Sequence, residues 1–125
     1  MDKTKEYILK CEKAVEVQEL WLPKFGDIYY RQQFEKVVLI SEFGYYCPNK
    51  KQLSKSVKPD IWLPRQDQIQ SMFGKNYPDS ASLLNLFNYF VQKLKGPVDS
   101  MEQLWLEFLY NRMYDKKWNG KDWVK

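Results

Sequence analysis

The sequence predicts an α+β fold: an amino-terminal helix, a small antiparallel β-sheet of two to three strands, and three carboxy-terminal helices packed on one face of that sheet. Three observations carry this expectation. Apolar residues recur at helical spacing over the first 20 residues and again beyond residue 64; two runs rich in β-branched and aromatic residues lie between; and Pro and Gly fall at the joins. A length of 125 residues suits a single domain spanning 1–125. With 44% hydrophobic and 29% charged residues, the composition excludes wholesale disorder.

Over 3–20, Tyr7, Ile8, Cys11, Ala14, Val15 and Val17 interleave with Glu and Lys, and Glu6 with Lys10 forms an i,i+4 pair in the favourable order. This predicts one amphipathic helix, closed by Trp21, Leu22 and Pro23, because Pro cannot continue the ladder and holds its predecessor extended. The runs 27–34 and 36–43 read as an antiparallel strand pair with a polar junction near Gln33 and Glu35. A third short strand over 58–63 fits at an edge, where Pro59 is tolerated. Pro64 then suits the first turn of a helix that gathers Ile69, Met72 and Phe73 on one side before Gly74 stops it.

The helix over 80–95 contains LLNLFNYFVQKL and should be the most buried, ending at Gly96 and Pro97. The last helix, 100–115, aligns Met101, Leu104, Trp105, Phe108, Leu109 and Met113 in one stripe, with Ser100 and Gln103 as a capping box. Asn119 and Gly120 mark a tight turn in the tail, and Trp118 and Trp123 are expected to dock onto the body. Aromatic residues make up 17% of the chain, as 5 Trp, 9 Tyr and 7 Phe. Each buried ring removes about 150 to 250 Å² from water, so most of them are expected in the core.

Several chemistries are excluded before any motif is weighed. There is no histidine, and Cys11 and Cys47 have no CxxC partner, which removes the commonest general base and any tetrahedral thiolate site. Cys11 reads as a small core residue. The five glycines stand singly, so no phosphate-cradling loop exists. The sixteen acids are too dispersed to single out a carboxylate pair. The expectation is therefore no catalytic, cofactor-binding or metal-binding residue and no cofactor. No apolar run approaches the roughly 18 residues of a membrane span and no signal peptide is visible, so no membrane association and a cytoplasmic location are expected.

Charge singles out one candidate surface. The chain carries 20 basic and 16 acidic residues, and the excess of four lies wholly within 44–59, which holds Lys50, Lys51, Lys55 and Lys58 and no acid. Read as an exposed loop, this segment offers a phosphate-backbone contact with Tyr45 and Tyr46 for base stacking, or simply a solvated loop. A second candidate lies in PRQDQIQ, where Arg65, Gln66 and Gln70 can make directional hydrogen bonds to a partner or to base edges. The plainer account has Asp67 complementing the helix amino terminus and Arg65 packing over an aromatic such as Trp62.

The segments IWLPRQDQIQSM at 61–72 and SMEQLWLEFLYNRMYDKKWNGKDWV at 100–124 resemble those of small proteins encoded in phages and prophages of Gram-positive bacteria, which share a WLPRQDQ-like box and an EQLW…DWV-like ending. The resemblance implies a cytoplasmic protein of phage or prophage origin in a bacterial host cell, and carries over no catalytic residue. The leading expectation is a non-enzymatic protein-interaction module with a protein partner in the phage or host programme. Its rival is a nucleic-acid-binding accessory protein using the basic 44–59 loop, and a carboxylate-dependent hydrolase stands third. Partner identity and oligomeric state stay open.

Overall fold

A computed structural model describes residues 1–41, 59–74, 79–94 and 100–125. The architecture is mixed α+β, with an amino-terminal helix, a three-stranded antiparallel sheet, carboxy-terminal helices and a terminal two-stranded ribbon. By contact it divides into two compact units, Lys3–Pro64 and Met1–Asp2 with Arg65–Lys125. The expected ends of the second strand run (42–43), the start of the third (58) and the Gly96–Pro97 stop lie outside the described residues.

In the Lys3–Pro64 unit, Thr4 caps the first helix by accepting the Tyr7 N–H at 3.2 Å. The single helix expected over 3–20 is two, α1 (Lys5–Lys13) and α2 (Val15–Glu19), because Ala14 leaves the helical region at φ −83°, ψ 67°. A tertiary bond accounts for the break: the Cys11 carbonyl accepts the Gln18 Nε2 amide at 3.1 Å as well as the Ala14 N–H. Tyr7, Cys11, Ala14 and Val17 are fully buried, and the Tyr7 hydroxyl donates to the Pro64 carbonyl at 2.6 Å.

The sheet has the order β2-β1-β3, from β1 (Ile28–Arg31), β2 (Lys36–Leu39) and β3 (Ile61–Trp62). The β1–β2 pair runs in the register Tyr29 opposite Val38, and β3 lies at the edge beside β1, as its proline-flanked sequence predicts. The first strand is shorter than the run 27–34 because 32–35 form the turn: Phe34 N–H bonds the Arg31 carbonyl and Glu35 takes φ +51°. Arg31 grips Asp60 through Nε at 3.2 Å and Nη2 at 3.0 Å, a two-point bond that fastens the approach to β3 against β1.

In the second unit, Arg65 is the N-cap of α3 (Gln66–Ser71), which places Pro64 just before the helix instead of inside its first turn. Ile69 and Phe73 are buried as expected, and Gly74 ends the segment at φ +57°, a left-handed conformation that suits glycine. Asp79 caps α4 (Ser80–Lys93) by accepting the Ser82 N–H at 2.7 Å and the Ser82 hydroxyl at 3.0 Å, bonds that hold its carboxyl below its ordinary pKa.

The expectation that this helix is the most buried is overturned. Of its described side chains only Phe87 is buried, while Leu84 and Tyr89 are 49% and 59% exposed. The buried helix is α5 (Met101–Met113), which encloses Gln103, Trp105, Leu106, Phe108, Leu109 and Tyr110. The reason is position: α5 packs against α3, against α4 and against the tail, so its sides are covered, whereas apolar residues around α4 do not by themselves supply neighbours. The stripe on α5 therefore holds at Trp105, Phe108 and Leu109, is half-buried at Leu104 and is exposed at its ends, Met101 and Met113.

Rings dominate this core. Phe87 stacks on Trp105 with centroids 4.0 Å apart and planes within 5°, and Phe73 and Phe90 close on Phe108 at 5.1 and 5.4 Å. At the head of α5, Ser100 Oγ accepts the Gln103 N–H at 3.1 Å, as the expected capping box requires, and the Gln103 side chain also donates to the buried Asp2 carboxylate at 2.7 Å. The tail docks as expected: β4 (Lys117–Trp118) and β5 (Trp123–Val124) form a hairpin around Asn119 and Gly120, and Trp123 stacks on Tyr110 at 4.3 Å.

Candidate functional site

The residues that sequence reasoning placed first fare differently. Lys50, Lys51, Lys55 and Lys58, with Tyr45, Tyr46 and Cys47, lie outside the described residues. Arg65 and Gln66 sit at the start of α3 and Gln70 near its end, all half-buried. Arg65 is engaged there: its N–H donates to Gln68 Oε1 at 2.8 Å and its Nε donates to Asp67 Oδ1 at 3.2 Å. Asp67 lies in the first turn, where a carboxylate suits the positive end of the helix. Hydrogen bonding within this segment accounts for the Arg65 and Asp67 side chains.

A different surface stands out in the Lys3–Pro64 unit. Between α2 and β1, three large apolar residues of one short segment face solvent: Leu20, Leu22 and Phe25 are 54%, 74% and 75% exposed. The residue between the two leucines turns the other way. Trp21 lies parallel to Trp62 at 6.2 Å and tilts against Tyr29 at 5.9 Å, covering one face of the sheet. Leu20, the C-cap of α2, and Leu22, held extended by Pro23 after it, stay in solvent on either side of the anchored Trp21.

The turn over 24–27 is held rigidly by a buried carboxylate. Asp27, 3% exposed, accepts Trp21 Nε1 at 3.1 Å and the Lys24 N–H at 3.0 Å, while its own N–H bonds the Lys24 carbonyl at 3.1 Å. The same turn is tied to the sheet by the Gly26 N–H, which reaches the Ile40 carbonyl at 3.1 Å, and Gly26 adopts φ +88° to do so. A side chain at Gly26 meets nothing within 4 Å, so glycine is required there for its backbone and not for space. Phe25 is thus displayed at the apex of a turn locked from both sides. At the end of β2, Leu39 is 62% exposed.

Solvated leucine and phenylalanine on fixed backbone are the surface chemistry of a protein contact, since their ordering entropy is already spent and their apolar area is still to be buried. Among the described residues no group of three or more Cys, Asp or Glu side chains is placed to share a metal ion, and no helix is long and apolar enough to cross a membrane. Sequence reasoning passed over this surface because it read Trp21, Leu22 and Pro23 only as a helix stop. The signal lies in LWLPKF itself, whose large apolar residues stand where no helical or strand face is long enough to hide them all. Comparison with protein-family models, with curated proteins and with solved structures finds no match to this chain.

Proposed function

We propose that this chain is a non-enzymatic protein-interaction module that receives a protein partner on the exposed segment carrying Leu20, Leu22 and Phe25. The observation that carries the reading is the exposure of Leu20, Leu22 and Phe25 in the segment that leads into and forms the turn fixed by the buried Asp27 carboxylate. A partner burying Leu22 and Phe25 gains about 1.5 to 3 kcal/mol from each, at little cost in ordering the turn. The WLPRQDQ-like and DWV-like segments support an origin in a phage or prophage and a place of action in the bacterial cytoplasm.

The test is a photo-crosslinking amino acid in place of Phe25, with the full chain expressed in a Gram-positive host carrying a prophage. The proposal expects a discrete adduct that protease destroys and nuclease leaves intact, and that disappears when Leu22→Ser is added. A nuclease-sensitive adduct, or none, would contradict it. The rival reading, nucleic-acid binding through the basic 44–59 segment, is favoured by the concentration there of the whole net charge of +4. It predicts oligonucleotide binding at physiological salt that is lost when Lys50, Lys51, Lys55 and Lys58 become Gln, with a salt slope of about −3.6 on duplex DNA for four phosphate contacts.

A further inference from the structure

The two outer edges of the three-stranded sheet are treated differently. In an antiparallel ladder, alternate residues turn their N–H and C=O groups toward the neighbouring strand and away from it. On β3 the Leu63 N–H bonds the Ile28 carbonyl at 2.9 Å, which turns the backbone of Trp62 outward. Both outward groups are met by one side chain, since Gln18 Nε2 donates to the Trp62 carbonyl at 2.9 Å and Gln18 Oε1 accepts the Trp62 N–H at 2.8 Å. That edge is sealed.

On β2 the Ile40 N–H bonds the Asp27 carbonyl at 2.8 Å, so Ile40, Val38 and Lys36 face β1 while Val37 and Leu39 turn their backbone outward. Neither outward residue has a hydrogen-bond partner on that side among the described residues. Their side chains share one sheet face, with Val37 half-buried and Leu39 largely exposed. Of the devices that blunt an open edge, β2 has its shortness and Lys36 at its start, but no proline and, among the described residues, no side chain that bonds its outward backbone as Gln18 does on β3. Lys36 lies at one end of this edge and Lys24 at the other, on the turn bonded to Ile40; neither makes an ion pair or hydrogen bond through its side chain among the described residues. The described carboxylate nearest in sequence, Glu35, belongs to the hairpin turn beyond the paired residues.

We infer that β2 takes up an extended strand of a partner protein, with apolar side chains beside Val37 and Leu39 and acidic side chains at the ends, against Lys36 and Lys24. The inference rests on the proposed interaction function and specifies the form of the partner. A second copy is the poorer occupant. Pairing two β2 strands about Val38 sets Lys36 of one copy opposite Ile40 of the other, on the side that carries Lys24, and brings like charges together twice.

The test is amide hydrogen exchange on the full chain with a short synthetic peptide of alternating valine and threonine ending in glutamate at both ends, beside a version ending in lysine. At saturation the acidic peptide is expected to slow exchange at Val37 and Leu39 by about tenfold or more and to leave Trp62 unchanged. The lysine-ended peptide should bind about tenfold more weakly. Val37→Pro removes an outward N–H and no ladder bond, and should abolish the protection. Leu39→Glu, at an exposed position, gives a second folded variant that should weaken the acidic peptide. Absence of protection at Val37 and Leu39, equal binding of both peptides, or a dimer of the free chain that Val37→Pro dissolves would each overturn the inference. A protein crosslinked from position 25 while Val37 and Leu39 exchange freely would leave the interaction function standing and remove the edge from it.

Discussion

The core around α5 and the segment 20–25 both spend large apolar residues, and they spend them in opposite ways. Around α5 the rings close on one another: Trp105 is 1% exposed beneath Phe87, with Phe73 and Phe108 at its edges. In 20–25 the one ring that packs, Trp21, is pinned by Asp27, and the apolar residues around it are held in solvent. The difference lies in what fixes the backbone. In the first region apolar contact does it, so the side chains carry stability; in the second, Asp27, Gly26 and Gln18 do it with directional hydrogen bonds, which leaves Leu22 and Phe25 free to meet something else.

Substitutions sharpen this contrast, beginning with the largest expected effect. Trp105→Ala should destabilise by about 3 to 5 kcal/mol, the usual loss for a buried large aromatic, read from denaturant unfolding. A midpoint equal to that of the parent would show that the ring stack is not the core. Gln18→Ala strips the partner from both outward groups of Trp62 and should cost about 1 to 3 kcal/mol, with faster exchange of the Trp62 amide as its local signature. Gln18→Glu separates the two bonds, since a carboxylate still accepts the Trp62 N–H but cannot donate to the Trp62 and Cys11 carbonyls. Gly26→Ala should cost about 1 kcal/mol through its left-handed backbone alone, a strain that loosens the display of Phe25 before it threatens the fold.

Much of the fold is legible in the sequence because its elements announce themselves locally. Ser100 is the N-cap that the sequence predicts, the hairpin follows from β-branched and aromatic runs, and Asn119 with Gly120 makes the predicted turn by accepting the Lys121 and Asp122 N–H groups at 2.8 Å on Asn119 Oδ1. What periodicity cannot supply is the identity of a residue's neighbours. It ranks α4 above α5 in burial because it counts apolar residues, whereas burial depends on how many elements surround the helix. It also runs one helix through Ala14, because the competing bond from Gln18 to Cys11 is a matter of tertiary structure. The candidate surface was hidden for a related reason. Leu22 and Phe25 resemble core residues by type, and only the inward turn of Trp21 and the grip of Asp27 show that they are displayed.

The smallest expected effect is the most direct test. Leu22 and Phe25 are assigned to binding and contribute almost nothing to folding, so the double variant Leu22→Ser, Phe25→Ser should unfold within about 0.5 kcal/mol of the parent, as surface substitutions do. A loss of several kcal/mol, comparable to that of Trp105→Ala, would place both side chains in a core and contradict that assignment.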